Sequence, residues 1–444
     1  MKKFITLAAI AAIVFSVNAQ DATTVVLLNY NTVKKKVEKS DAEIQEPKKG
    51  AKASTWQKRG ELYQDVFMIG LEQIQEGMDP TTVTLFYKEP NSKETEEVDG
   101  AMHETFIYDH MTYTFKNGAL QEWKKTDPIH ENPLRVATDA YKKALELDNS
   151  EKMGEKIKVN LIELKNQIKR DGVNYYYSGG YDDALSSFEN VLEINNMDLF
   201  AGEMDTVMVQ YSGIISREIA AKTESDELYL KAIDYYQQLA DADFGGPNTY
   251  LQIKMDYMTI GDTLKALETL IEAYTKYPDT INVIANVADT YIQLKQFDEG
   301  IEFMETAIEN NPNLAEVYYW NGRLLINKEE VEFIEKAIVS YKKASELDPT
   351  IYYVWYDMGY IYYLQGADFY DRSNTEEHDP TRERLIELGK EKYMESIPVL
   401  EKAYELNDSN TKVKFETLDL LQRIYYKEQM MDEYERVKAL KATM

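Results

Sequence analysis

Few residues of this chain are equipped to do chemistry. There is no cysteine, which excludes disulfides, thiol nucleophiles, zinc–cysteine sites, iron–sulfur clusters and lipidation of an N-terminal cysteine. There are four histidines. His103 and His110 share one β-rich stretch and are close enough in sequence to meet, but two ligands do not make a metal site, so surface roles are expected. His130 and His378 fall in loops without partners. GGYDDA at Gly179 lacks the lysine of a phosphate cradle and reads as a turn between helices. No GxSxG or HExxH motif occurs, and with 78 acidic residues paired carboxylates arise by chance. No residue is nominated as catalytic, so no enzyme activity, metal or cofactor is expected. Tyrosine remains, 34 of them, densest in WYDMGYIYY, Trp355 to Tyr363. Trp355, Met358, Gly359 and Tyr362 step by three, one and three, one face of a helix. Tyr352, Tyr356, Tyr360 and Tyr363 step by four, four and three along another. A helix apolar on two sides is squeezed between neighbours.

The same spacing recurs. WQKRGELY places Trp56, Gly60 and Tyr63 as Trp355, Gly359 and Tyr362 are placed. Ile168, Gly172 and Tyr175 repeat it, as do Tyr250, Ile253 and Tyr257, then Ile284, Val287, Ala288 and Tyr291, then Tyr318, Gly322 and Leu325. Each is followed by a second helical pattern and a stop, for example Ala266, Leu270, Ala273 and Pro278, or Ala337, Tyr341, Ala344 and Pro349. This resembles the tetratricopeptide repeat (TPR) family, whose helical hairpins recur at roughly 34 residues. The resemblance implies an all-α, right-handed superhelical solenoid of about eight hairpins. The first helices would begin near Thr55, Glu163, Asp205, Asn248, Asn282, Glu316, Ile351 and Thr411. The third is weak, resting on Met208, Tyr211, Ser212 and Ile215. The last is an irregular C-terminal cap of the kind seen in exported repeat proteins of the Bacteroidota.

The expected domains are a signal peptide at 1–19, a cap helix (from Asn31 to Gln45) and loop within 20–53, and a solenoid over 54–444. Two insertions break the period. Within the first repeat, 77–133 is β-rich: TTVTLFY and ETFIYDHMTYTF read as strands, and Asn117-Gly118 as a hairpin turn. It is expected to be a small antiparallel sheet and a separable module, because added loop length is cheap in closure entropy. Within the seventh repeat, 366–394 is expected to hold a polar loop and a second helix that starts near Pro380 and is kinked at Pro398.

MKKFITLAAIAAIVFSVNA has the positive start, short apolar run and small-residue end of a signal peptide cleaved after Ala19. Periplasmic export follows as an expectation, with no lipid anchor, since no cysteine follows. Cleavage removes Lys2 and Lys3 and takes the net charge from −28 to −30. That acidity argues against nucleic acid and anionic membranes. No later segment is apolar enough to span a bilayer.

In the family, the inner face of the first helices forms a groove for peptide segments. Carried over by register, that face offers Tyr176, Met255, Asp289, Tyr319, Arg323, Tyr352, Tyr356, Tyr360 and Tyr363. Trp355 and Tyr362 are expected to be core. The four-tyrosine row either faces the groove or packs against its own insertion or the next repeat. The resemblance implies a protein-interaction scaffold or accessory subunit of an envelope assembly, with a protein or peptide partner. The alternative is a glycan-binding protein of the starch-utilisation type, which also carries such repeats and uses aromatic platforms.

Overall fold

A computed structural model describes residues 27–98, 100–200, 204–328 and 330–443. The signal peptide expected at 1–19 lies outside them. The chain forms two compact units, one ending at Phe244 and the other starting at Gly245.

The N-terminal unit begins with α1 (Tyr30–Gln45), whose Asn29 side chain accepts from the Thr32 amide and satisfies a free first-turn donor. The expected loop after it contains a single turn of helix, α2 (Pro47–Gly50), because Pro47 suits the first helical position. Then come α3 (Ala53–Met68), α4 (Pro80–Tyr87), strands β1 (Ser92–Val98), β2 (Ala101–Ile107), β3 (Met111–Lys116) and β4 (Ala119–Lys125), and α5 (Pro133–Leu147). Helices α6 (Glu151–Tyr177), α7 (Tyr181–Asn195), α8 (Thr206–Thr223) and α9 (Asp226–Asp241) complete it. Helix α3 packs on α5, α6 on α7 and α8 on α9. Helix α6 starts twelve residues before the expected Glu163. Ser150 caps it, and Ile157, Leu161, Leu164 and Ile168 continue the buried stripe. Helix α8, the weak match, buries Met208, Tyr211, Ser212 and Ile215 as its register requires.

The sheet is antiparallel in the order β1-β2-β3-β4. Asn117 and Gly118, both at positive φ, turn β3 into β4 as the sequence predicts. TTVTLFY, however, is helix α4 and not a strand. Asp79 caps it through the Thr82 amide and Pro80 opens it, a local start signal that outweighs the β-branched composition. Strand β1, SKETEEV, is exposed throughout, and its charges guard the sheet edge.

The insertion is not a separable module. Phe106, Tyr113, Phe115, Leu120 and Trp123 belong to the same buried cluster as Phe67, Leu71, Leu164 and Ile168. Lys125 donates from Nζ to the carbonyls of Val66 (2.7 Å) and Phe67 (2.5 Å), which the end of α3 leaves unpaired. The Asn174 side-chain amide bonds the main chain of Trp123 in both directions, at 3.0 and 3.1 Å, and so extends the edge of β4. Arg170 lies over the Trp123 ring and donates to the carbonyls of Leu71 and Ile74.

The C-terminal unit contains α10 (Pro247–Thr259), α11 (Thr263–Lys276), α12 (Ile281–Leu294), α13 (Phe297–Asn310), α14 (Ala315–Ile326), α15 (Val331–Leu347), α16 (Tyr352–Thr375), α17 (Asp379–Leu406), α18 (Thr411–Lys427) and α19 (Met431–Lys441). Successive helices pair into five hairpins, which with the three above makes eight among the described residues. Pro278, Pro312 and Pro349 each stand two residues beyond a second helix, where a missing N–H costs no helical bond. In several hairpins a glycine on one helix admits a large side chain from the other. A Cβ on Gly322 would lie 2.7 Å from the buried Tyr341 ring.

The lengthened second helix of the seventh repeat is present, α17 starting at Asp379 and running 28 residues with Pro398 inside it, but most of the expected polar loop is helix as well, α16 being extended to 24 residues. Gly366 and Gly389 allow the extension by accepting Tyr393 and Tyr370 against their faces.

Candidate functional site: the aromatic face of the C-terminal unit

The backbone of α16 sorts WYDMGYIYY into two faces. Val354, Met358, Ile361 and Tyr362 are buried. Trp355 is only half-buried, a departure from the core role expected of it. Its indole Nε1 donates to the Pro349 carbonyl at 3.0 Å. Trp56 does the same to Gly50 at 2.7 Å, and the Tyr318 hydroxyl to Pro312 at 3.1 Å. The first aromatic of these repeats thus fastens the turn six residues before it, which requires a polar tip as well as ring area.

Tyr352, Tyr356, Tyr360 and Tyr363 lie along the side of α16 that meets α18. Tyr356 and Tyr360 stack with centroids 6.3 Å apart and planes 3° apart. The Tyr356 hydroxyl donates to Glu416 at 3.3 Å, and Asn410 donates to the Tyr352 hydroxyl at 3.4 Å. Tyr363 stacks on Tyr393 with centroids 5.5 Å apart, and Arg423 stands beside its hydroxyl. Burial, and then the Glu416 carboxylate, push the Tyr356 hydroxyl above its ordinary range. The row therefore packs in part against the next hairpin. It still keeps open surface: Tyr360 is 41% exposed, and Phe415 on α18 is 45% exposed.

The other expected contacts are placed differently. Tyr319 is 6% exposed and sits in the core, so its ring is not available to a partner. Arg323 donates to the Tyr319 hydroxyl at 3.1 Å, and the Asp357 carboxyl of α16 lies close to both. Arg323 is thereby spent on joining α14 to α16. Burial raises the Asp357 carboxyl above its usual range even with Arg323 nearby. Met255 is exposed on α10, and Asp289 on α12 accepts from Gln293 at 2.6 Å. Each belongs to a separate hairpin. Tyr176 is in the N-terminal unit, against Tyr177 and Tyr181.

Sequence reading missed Asn410, Glu416 and Arg423, because α18 brings them in from about 60 residues away with no shared spacing. It also missed Tyr353, whose ring lies 4.5 Å from that of Tyr319. The two histidines of the insertion do not meet. His110 stacks on Tyr30 at one end of the β2–β3 hairpin, and His103 pairs with Glu96 and Lys116 near the other. Among the described residues no group of three or more His, Asp or Glu side chains is arranged to hold a metal ion.

These hairpins define a helical-repeat protein, and comparison with known proteins specifies the repeat. Tetratricopeptide repeat family models match residues 281–314 and 334–366. Tetratricopeptide repeat protein 21A of Homo sapiens is 26% identical over 208 residues, covering 42% of this chain and 15% of that protein. The Mus musculus protein is 25% identical over 233 residues, covering 47% and 17%. The matches thus span about a sixth of those relatives. Among solved structures, a TPR repeats protein from Bacteroides fragilis is 17% identical, covers 62% of this chain and 98% of that one, and superposes with a TM-score of 0.33. MamA from Desulfovibrio magneticus is 16% identical, covers 46% and 99%, and has a TM-score of 0.28. Residues 281–314 and 334–366 thus carry tetratricopeptide repeats. No helix among the described residues is long and apolar enough to cross a membrane.

Proposed function

We propose that the chain is a non-catalytic, exported scaffold of the periplasm that holds a peptide segment of a protein partner along the α16–α18 face. The observation that carries this reading is the tyrosine row. Asn410 and Glu416 hold the hydroxyls of Tyr352 and Tyr356, and Tyr393 stacks on Tyr363, while ring surface stays open at Tyr360. A floor ordered before binding loses little entropy on contact. Glu416 and the net charge of −28 favour a segment that combines basic and apolar side chains. Export is supported by residues 1–19 and is tested by N-terminal sequencing of the mature protein.

The near-parallel Tyr356 and Tyr360 rings also suit the flat face of a sugar, which keeps the glycan reading as a second one. Peptide-library selection on the full chain, followed by fluorescence titration, separates the two. Selected peptides should carry Lys or Arg beside an aromatic residue. The Tyr356→Ala/Tyr360→Ala variant should weaken them by about 2 kcal/mol or more, roughly 30-fold. Unchanged affinity in the variant would refute the site, and saturable binding of oligosaccharides alone would favour the glycan reading.

A further inference from the structure

The N-terminal unit holds a second candidate site, independent of the aromatic face. Where the chain leaves β4 and returns to α5, the 126–132 turn runs beside α6 and α7. Two cavities open there, of about 210 and 180 Å³, and both have Glu131, Pro133, Asp171 and Tyr175 in their walls. Each holds a single side-chain-sized group but not a drug-sized ligand.

Their polar groups are unusually short of partners. Asp171 lies in the middle of α6, and its carboxylate makes no hydrogen bond with a described residue, although the charges of Lys125 and Arg170 reach it. The side chains of Glu131 and Asp183 stand exposed at the rim, where water solvates them. Asn190 on α7 is 6% exposed and lines the smaller cavity, and its Oδ1 is buried with no hydrogen-bond donor. A buried acceptor without a donor costs about 1–3 kcal/mol, so such groups call for an occupant. Cations also stand nearby: Lys124 and Lys125 line the larger cavity, Arg135 the smaller one, and Arg170 acts on Asp171. Lys125 is bound to the carbonyls of Val66 and Phe67, and Arg135 to Glu193 and Asp139. The phenol of Tyr175 sits in the field of Asp171, Asp183 and Glu131, which with burial holds it protonated. The walls add the aromatic surfaces of Phe67, Trp123 and Tyr175.

In the smaller cavity the donorless Asn190 acceptor, three carboxylates against one engaged cation, and the Tyr175 ring select a ligand that is cationic, donates several hydrogen bonds and carries a short apolar stem. We propose that this cleft binds an alkylguanidinium or alkylammonium group, with Asp171 as its counter-charge and Asn190 as a neutral acceptor. The group can come from a free amine or from an Arg or Lys side chain of a peptide.

Calorimetry on the full chain tests this with three probes: butylguanidinium, butylammonium and an arginine-containing hexapeptide. Saturable one-to-one binding is expected for at least one of them. A free-amine source predicts tighter binding of the small probes, and a peptide source predicts tighter binding of the hexapeptide. Asp171→Asn and, separately, the exposed Asp183→Asn should each weaken binding, the first by at least tenfold. Tyr356→Ala/Tyr360→Ala should leave it unchanged, so this site and the aromatic face stand or fall separately. No saturable binding of any probe would overturn the proposal, as would undiminished binding by a folded Asp171→Asn variant.

Discussion

Replacing Asp171 with Asn should make the N-terminal unit more stable, and the gain should depend on pH in a defined way. Burial raises the Asp171 carboxyl from its ordinary 3.8 to about 7, against the opposing pull of Lys125 and Arg170. Between those two values the folded protein holds a proton that the unfolded chain has released. Stability contributed at this position therefore falls as pH rises from about 4 to about 7, and is level above that. Each pH unit of displacement corresponds to about 1.4 kcal/mol, so the full penalty reaches about 4 kcal/mol above pH 7. Asparagine has nearly the same shape and no charge, so it removes that penalty. The gain should be about 1 kcal/mol at pH 4.5 and up to about 4 kcal/mol at pH 7.5. The range stops at 7.5 because burial lowers the neighbouring Lys125 to about 8, and its own titration enters beyond that. Hydrogen exchange of the α6 amides in increasing denaturant reads this unit directly. A loss of stability at pH 7.5 would show that Asp171 forms a favourable ion pair with Lys125, and a gain independent of pH would show that its carboxyl is not displaced; either would refute the reasoning. A carboxylate kept at a cost in stability is what a binding group looks like, and the same variant tests the cleft.

Three other changes should separate packing from function. Gly322→Ala should destabilise the C-terminal unit by about 1–3 kcal/mol despite alanine's better helix propensity, because its Cβ would meet the Tyr341 ring at 2.7 Å; a higher melting temperature would contradict this. Replacing 77–132 with a short Gly/Ser turn should abolish cooperative unfolding of the N-terminal unit, since Phe106, Phe115 and Leu120 fill its core; a retained sharp transition would show that the sheet only decorates the helices. Trp355→Phe keeps ring area but loses the bond to Pro349, so it should lower stability by about 0.5–1.5 kcal/mol, with no measurable change if that bond is idle.

The repeat was legible because its packing is local. A helical hairpin buries one stripe per helix, so Gly322, Leu325, Tyr341 and Ala344 reveal their roles by spacing alone, and Pro349 by its place after them. Asn117-Gly118 was equally plain, since positive φ at both turn positions restricts the residue choice. The sequence could not tell which tyrosines stay open. Tyr319 and Tyr360 fall on matching helical faces, yet one is 6% and the other 41% exposed, because Arg323, Tyr341 and Tyr353 enclose the first, whereas the second stacks on Tyr356 of its own helix. Composition misread the 80–87 segment, where Asp79 and Pro80 settle the helix before β-branched side chains have a sheet to join. The Asp171 cleft left no trace in the sequence. Its parts come from β4, the 126–132 turn, α6 and α7, and are joined only once the sheet has docked on Asn174 and Arg170. Local spacing determines a helix and its buried face. Whether a charge inside that face finds a partner depends on chain segments far away in sequence, and tertiary structure alone decided it.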